Sequence, residues 1–194
     1  MIKELELSNE DHFIKCFDDL YEDITSEYNF DYTTKKINVQ REATQAGNLF
    51  SCCSNDSNFV YLNYALLENA IYDILCTNGI EISETKDTNI EFMLAKSKDE
   101  VIVQNGFGIH QDTGSKVRGN SYTMIIYLHT YCQGGELIFY EKRPSGDFEK
   151  TVTVDPNTRL SSTTKVVIFD GEIFHKPEPF YNGQRCAIVC QVSK

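Results

Sequence analysis

The sequence predicts a mainly β chain of α+β class, with helices confined to its N-terminal part and an antiparallel sandwich, barrel or jelly roll behind them. Two observations predict it. Beyond residue 80, seven short β-like runs follow one another at 90–95, 101–109, 122–129, 136–140, 151–154, 165–169 and 185–192, with no long helix between them. Before residue 80, apolar residues recur at helical spacing instead.

Taken in order, Ser8-Asn9-Glu10-Asp11 offers capping side chains ahead of Phe13, Ile14, Phe17, Leu20, Tyr21 and Ile24, so the spacing predicts a helix ending near residue 25. From Thr25 to Asn58 the chain is polar with weak periodicity, which predicts loops or an edge strand rather than a core element. Tyr61, Tyr64, Ala65, Leu67, Ala70, Ile71, Ile74 and Leu75 give a second helix a broad apolar face, stopped at Asn78-Gly79, with Glu68 and Asn69 toward solvent. Among the strands, Lys142 to Glu149, with Pro144, Ser145 and Gly146, reads as a hairpin excursion. A single domain is expected over residues 1–194, in which 1–80 form a helical support for a β core at 81–194.

With 41% hydrophobic and 12% aromatic residues, the chain has the composition of a packed globule. Its formal charge is −11, from 29 acidic and 18 basic residues, so the mean surface field disfavours nucleic acid and anionic lipid as partners. Lys35-Lys36 is too short a basic run to change that. The first residues, Met1 to Glu6, are charged, and no apolar run reaches the roughly 18–20 residues that span a bilayer. Seven cysteines, an odd number, show no C-x-x-C or zinc-ribbon spacing, which points to a reducing, cytoplasmic location.

Chemistry concentrates in three places. Gly108-Ile109-His110-Gln111-Asp112 ends an apolar run, and in an extended chain His110 and Asp112 project from one face. His175 lies 63 residues later, after the apolar Val166-Val167-Ile168-Phe169 and a Gly171-containing turn, where it can approach that pair across a sheet. Two imidazoles and one carboxylate on one side of an ion leave the opposite positions open, the facial arrangement of non-heme iron(II); zinc is the competing metal. Arg185, ten residues further on, opens the apolar run Cys186-Ala187-Ile188-Val189-Cys190. A guanidinium there needs an anion, and its forked donors suit a ligand carboxylate; a distant acidic side chain is the plainer alternative.

These segments, with Tyr122 to Leu128, Gly134-Gly135-Glu136-Leu137, Phe174-His175 and Gly183-Gln184-Arg185, resemble the prolyl 4-hydroxylase-like branch of the iron(II)/2-oxoglutarate-dependent dioxygenases over roughly residues 90 to 192. The resemblance implies a double-stranded β-helix, a jelly-roll and cupin relative, as the catalytic core. It implies that His110, Asp112 and His175 bind iron(II), that Arg185 holds the distal carboxylate of the cosubstrate 2-oxoglutarate with Tyr127 as a second contact, and that ascorbate is a candidate reductant. Strand alternation agrees: Thr123, Ile125 and Tyr127 share the face that would line a cavity, with Leu137 walling it, while Tyr122, Met124 and Ile126 pack behind. Gly134-Gly135 suits a tight turn into the next strand. The family's strand before H-x-D often carries an aromatic or arginine and a longer glycine-rich turn, whereas Val103, Gln104, Asn105 and Gly106 lead in here. His12 and His129 receive no part in the site.

The activity implied is hydroxylation with conversion of 2-oxoglutarate and O2 to succinate and CO2, the lead substrate being a prolyl residue of a protein or peptide. Hydroxylation of another side chain or a small molecule comes second. A non-catalytic binding module that keeps the fold is the rival from another class, and a zinc hydrolase a third, which leaves Arg185 unexplained.

Overall fold

The structure is a computed structural model and describes residues 1–8, 36–44, 47–53, 61–83, 88–97, 102, 108–113, 121–158 and 163–194. Along the chain run β1 (Ile2–Ser8), β2 (Lys36–Thr44), β3 (Gly47–Cys53), β4 (Tyr61–Asn63), α1 (Tyr64–Thr77), β5 (Thr88–Ser97), β6 (Ser121–Gly134), β7 (Leu137–Lys142), β8 (Phe148–Val154), β9 (Thr163–Asp170), β10 (Phe174–Pro177) and β11 (Phe180–Ser193). An eight-stranded sheet has the order β1-β9-β6-β11-β5-β2-β3-β4, and a three-stranded sheet the order β10-β7-β8. Every pairing in both is antiparallel.

Why Met124 to Leu128 and Val166 to Phe169 read as unbroken apolar runs is now plain: the large sheet is covered on both faces. Met124, Ile126, Leu128, Val166, Ile168, Cys186, Ile188 and Cys190 pack with Leu67, Ile71, Ile74 and Leu75 of α1. Ile125, Tyr127, Val167, Phe169 and Ala187 pack with Leu137, Phe139 and Val154 of the small sheet. Each Ile or Leu fully buried in this way contributes about 1.5–3 kcal/mol. α1 stops where expected, the Ile80 amide reaching back to the Leu75 carbonyl at 3.0 Å.

Six of the seven expected strands correspond to β5, β6, β7, β8, β9 and β11, and Arg143 to Asp147 make the hairpin turn between β7 and β8. Of the seventh, 101–109, only Ile102, Gly108 and Ile109 are among the described residues. The helix expected over 9–25 and the lead-in Val103 to Gly106 lie outside them. The polar stretch carries β2 and β3, which extend the large sheet beyond β5; each is paired on both sides, so neither is the edge strand expected there, and among the described residues the sheet ends at β4 instead. Strand β1 was not legible, because Lys3, Glu4 and Glu6 mask its pattern; it pairs with β9 from Ile2↔Phe169 to Ser8↔Thr163, and Leu7 is buried. Strand β11 begins five residues before Arg185 rather than at it. Positive φ at Asn182 (48°) and Gly183 (145°) and two register shifts against β6 bend its first part, and that bend hid it. Among the described residues no helix is long and apolar enough to cross a membrane.

Candidate metal centre

His110 sits outside any regular strand, held by a single bridge to β10: its amide donates to the His175 carbonyl at 3.0 Å, and the His175 amide to the His110 carbonyl at 2.9 Å. Directly opposed residues share a face of a sheet, so the two rings meet, centroids 4.3 Å apart. The Asp112 amide donates to the Gly171 carbonyl at 2.9 Å, which returns the chain to the turn before β10. Backbone pairing between segments 59 (Asp112 to Gly171) and 65 (His110 to His175) positions apart thus assembles the three predicted residues.

Both imidazoles are oriented by their other nitrogen. His110 Nδ1 lies 2.9 Å from the Gly108 carbonyl and His175 Nδ1 lies 3.0 Å from the Ile173 carbonyl. A carbonyl only accepts, so each Nδ1 carries the proton and each Nε2 presents a lone pair. Those Nε2 atoms lie 3.6 and 3.5 Å from Asp112 carboxylate oxygens, and one ligand atom from each residue falls within 4.8 Å of the others. Donors about 2.0–2.2 Å from a common ion stand roughly 3.0–3.4 Å apart at right-angled to tetrahedral angles, so the observed spacing needs little adjustment to hold one. Burial pushes the His175 pKa down, and neighbouring His110 adds to this against the pull of Asp112 and the Ile173 carbonyl. The neutral form that a metal requires is therefore favoured. Thr123 donates its hydroxyl to Asp112 Oδ2 at 2.7 Å, fixing the rotation of the carboxylate. His175 is buried, while the His110 side chain is 33% exposed, so the group opens to solvent on the His110 side.

A cavity of about 360 Å³ runs from this group between the two sheets. Its floor is the inward face of β11, with Arg185, Ala187, Val189 and Gln191, beside Thr123, Ile125 and Tyr127 of β6; Leu137 closes it from β7 and Met93 from β5. Arg185 is 7% exposed; its guanidinium donates to the Glu178 carbonyl at 3.3 Å and stands 5.2 Å from the Phe180 ring centre. Burial lowers its pKa, opposed by Tyr127 and Cys132, yet a guanidinium remains cationic near neutrality. Burial pushes the Tyr127 phenol up to about 12 against the pull of Arg185, so it stays a neutral donor. The turn into β7 behaves as expected: Gly134 and Gly135 have φ of 74° and 83°, and a Cβ on Gly134 would lie 2.8 Å from the Pro179 carbonyl oxygen.

All five predicted site residues therefore line one cavity. Sequence reading missed the bond from Thr123 to Asp112 and the side-chain amide of Gln111 donating to the Glu172 carbonyl. It also missed Met93, Val189 and Gln191 in the lining, although the alternation along β11 that places Arg185 inward also places 187, 189 and 191 there. His129 stays outside the lining, as expected; its carbonyl accepts from Gln184.

No protein-family profile and no curated protein matches the chain. Solved structures do. IDO from Bacillus thuringiensis is 13% identical with a TM-score of 0.52, covering 97% of this chain and 89% of its own. A Pseudomonas putida prolyl-4-hydroxylase is 14% identical with a TM-score of 0.46, over 98% and 92%. A bsmA homolog from Methylobium petroleophilum PM1 is 11% identical with a TM-score of 0.47, over 93% and 82%. At such identities the likeness is one of fold. The two-sheet topology and the likeness to the Bacillus protein define the chain as a double-stranded β-helix of the cupin-like kind, mainly β, carrying a His-Asp-His group able to hold a metal ion.

Proposed function

We propose that this chain is an iron(II)- and 2-oxoglutarate-dependent dioxygenase of the prolyl 4-hydroxylase-like kind. The observation that carries the reading is the pairing, within one cavity, of a facial two-histidine, one-carboxylate group with a buried arginine at the far end of the floor. A metal site alone would suit many chemistries. The buried cation adds a place for a carboxylate at a distance from the metal, which a dicarboxylate cosubstrate bound at its other end would use.

In this reading His110, Asp112 and His175 hold iron(II), and Arg185 with the Tyr127 hydroxyl holds the distal carboxylate. When bound, iron(II) and 2-oxoglutarate supply the oxidation, O2 and the oxoacid going to succinate and CO2 while one oxygen atom enters a substrate C–H bond. The protein's own share is positional. Gly108 and Ile173 keep both Nε2 lone pairs directed inward, Thr123 orients Asp112, and the walls of Ile125, Leu137, Ala187 and Val189 exclude water. The apolar lining of Met93, Ile125 and Val189 suits an aliphatic group, and a prolyl residue of a protein or peptide is the lead substrate; another side chain or a small molecule comes second.

Anaerobic titration of the metal-free protein with iron(II) and 2-oxoglutarate tests this. The visible charge-transfer band of the chelate is expected in the wild type, absent in Asp112→Ala, and shifted to at least tenfold more cosubstrate in Arg185→Ala, in line with loss of a charge-assisted bidentate contact worth about 1.5–3 kcal/mol. Iron binding without the band would sink the dioxygenase reading and favour a non-catalytic module that keeps the fold.

A further inference from the structure

The outer face of the small sheet carries a pattern at odds with the rest of an acidic chain of charge −11. Directly opposed residues share a face, and the register opposes Phe174 to Tyr140 and Lys176 to Ile138, then Tyr140 to Lys150 and Lys142 to Phe148. One face thus gathers three aromatic rings and three lysines, while His175 and Phe139 point the other way, toward the cavity and the core. The Phe148 ring centre lies 4.9 Å from that of Phe174 and 6.4 Å from that of Tyr140, both edge-on, and Phe148 is still 38% exposed. Of the hairpin's acidic residues, Glu141 and Glu149 oppose each other on the reverse face, where Arg143 pairs with Glu149 at 2.6 Å, and Asp147 lies in the turn, where its carboxylate accepts from the Ser145 hydroxyl at 2.9 Å. Lys176 is paired with Glu178 at 3.0 Å, so Lys142 and Lys150, both exposed, set the charge of this face.

A second observation adjoins it. Among the described residues β8 is the last strand of its sheet, and Phe148, Glu149, Lys150 and Thr151 are all exposed. Such an edge presents main-chain donors and acceptors to an added strand.

We propose that this face and the edge of β8 dock an extended acidic segment of a protein partner. The segment pairs with β8 as a fourth strand. Its side chains on the outer face alternate with those on the reverse, placing carboxylates against Lys142 and Lys150 and an apolar residue on Phe148. A peptide fits better than a single-stranded nucleic acid for three reasons. The rings pack edge-on to one another instead of standing open to stack on bases; the chain's overall charge repels a long polyanion; and only a peptide uses the strand edge. The surface lies on the opposite side of β10 from His175, and the inference does not depend on the dioxygenase reading.

Panning a phage-displayed library of random twelve-residue peptides against the full chain, with counter-selection on the Lys142→Glu/Lys150→Glu variant, tests it. Enriched sequences are expected to carry Asp or Glu within one alternating set of positions, with an apolar residue taking one position of that same set. As synthetic peptides they should bind the wild type at least tenfold more tightly than the double variant or Phe148→Ser, weaken as salt rises, and slow amide hydrogen exchange across residues 148–153. Unchanged thermal unfolding of both variants controls for folding. Failure to enrich any sequence, enrichment without acidic alternation, equal binding to the double variant, or tighter binding of oligouridylate than of any selected peptide would each overturn the proposal.

Discussion

Asp112 illustrates how a single residue here depends on its neighbour. Its carboxylate faces two imidazoles whose Nε2 atoms are 3.5 and 3.6 Å away, and the Thr123 hydroxyl bonds the same group at 2.7 Å. Partners of this kind orient a ligand, and removing one typically costs about 10–100-fold in metal affinity. Thr123→Val, nearly isosteric, should therefore weaken iron(II) or cobalt(II) binding by about that factor with little change in fold, while Thr123→Ser should restore it; metal titration followed by absorbance checks both. An unchanged affinity in Thr123→Val would show that the hydroxyl plays no orienting part. The alternation of β6 put Thr123 on the cavity face at the level of sequence. Its partner was not readable, because nothing local links residues 112 and 123.

At the scale of the element, β11 decides where the cation goes. Gly183 has φ of 145°, and a Cβ there would lie 1.9 Å from the Tyr131 carbonyl oxygen, a backbone atom that cannot simply rotate aside. The same irregularity shifts the register on both sides of Gln184 and delivers Arg185 into the cavity. Gly183→Ala is expected to destabilise the protein by about 1–3 kcal/mol, the usual cost of such backbone strain, seen as a lower urea midpoint. It should also raise the 2-oxoglutarate concentration needed for the charge-transfer band, because Arg185 lies two residues away. A stable variant with normal cosubstrate demand would mean that the bulge does not position Arg185.

Across the whole molecule the site is built from distant parts of the chain, Asp112 and His110 on one side and His175 on the other, joined by pairing that exists only in the folded state. An ion bound by all three therefore binds the native form far better than the unfolded one. At a free concentration of about 100 times Kd it should raise unfolding free energy by about 2.7 kcal/mol. Thermal unfolding of the wild type should shift upward with iron(II) or a non-oxidising substitute such as cobalt(II). Asp112→Ala should show little shift, and an equal shift in both would place the ion elsewhere.

What the sequence determined by itself were the features written in local pattern. The apolar runs of β6, β9 and β11, the helical stripe of α1, the turn at Arg143 to Asp147, and the residue types at 110, 112, 127, 175 and 185 were all readable, because burial on one or both faces leaves a period in the chain. Tertiary structure alone decided the rest. The charged residues of β1 conceal a strand that exists because β9 offers it an edge, and the polar β2 and β3 exist by extension from β5. The start of β11 is hidden by a bulge that only its pairing with β6 explains. The meeting of His110 with His175, and the segregation of Lys142 and Lys150 from Glu141 and Glu149, follow from strand register. Register is a relation between segments far apart in sequence, and no local pattern records it.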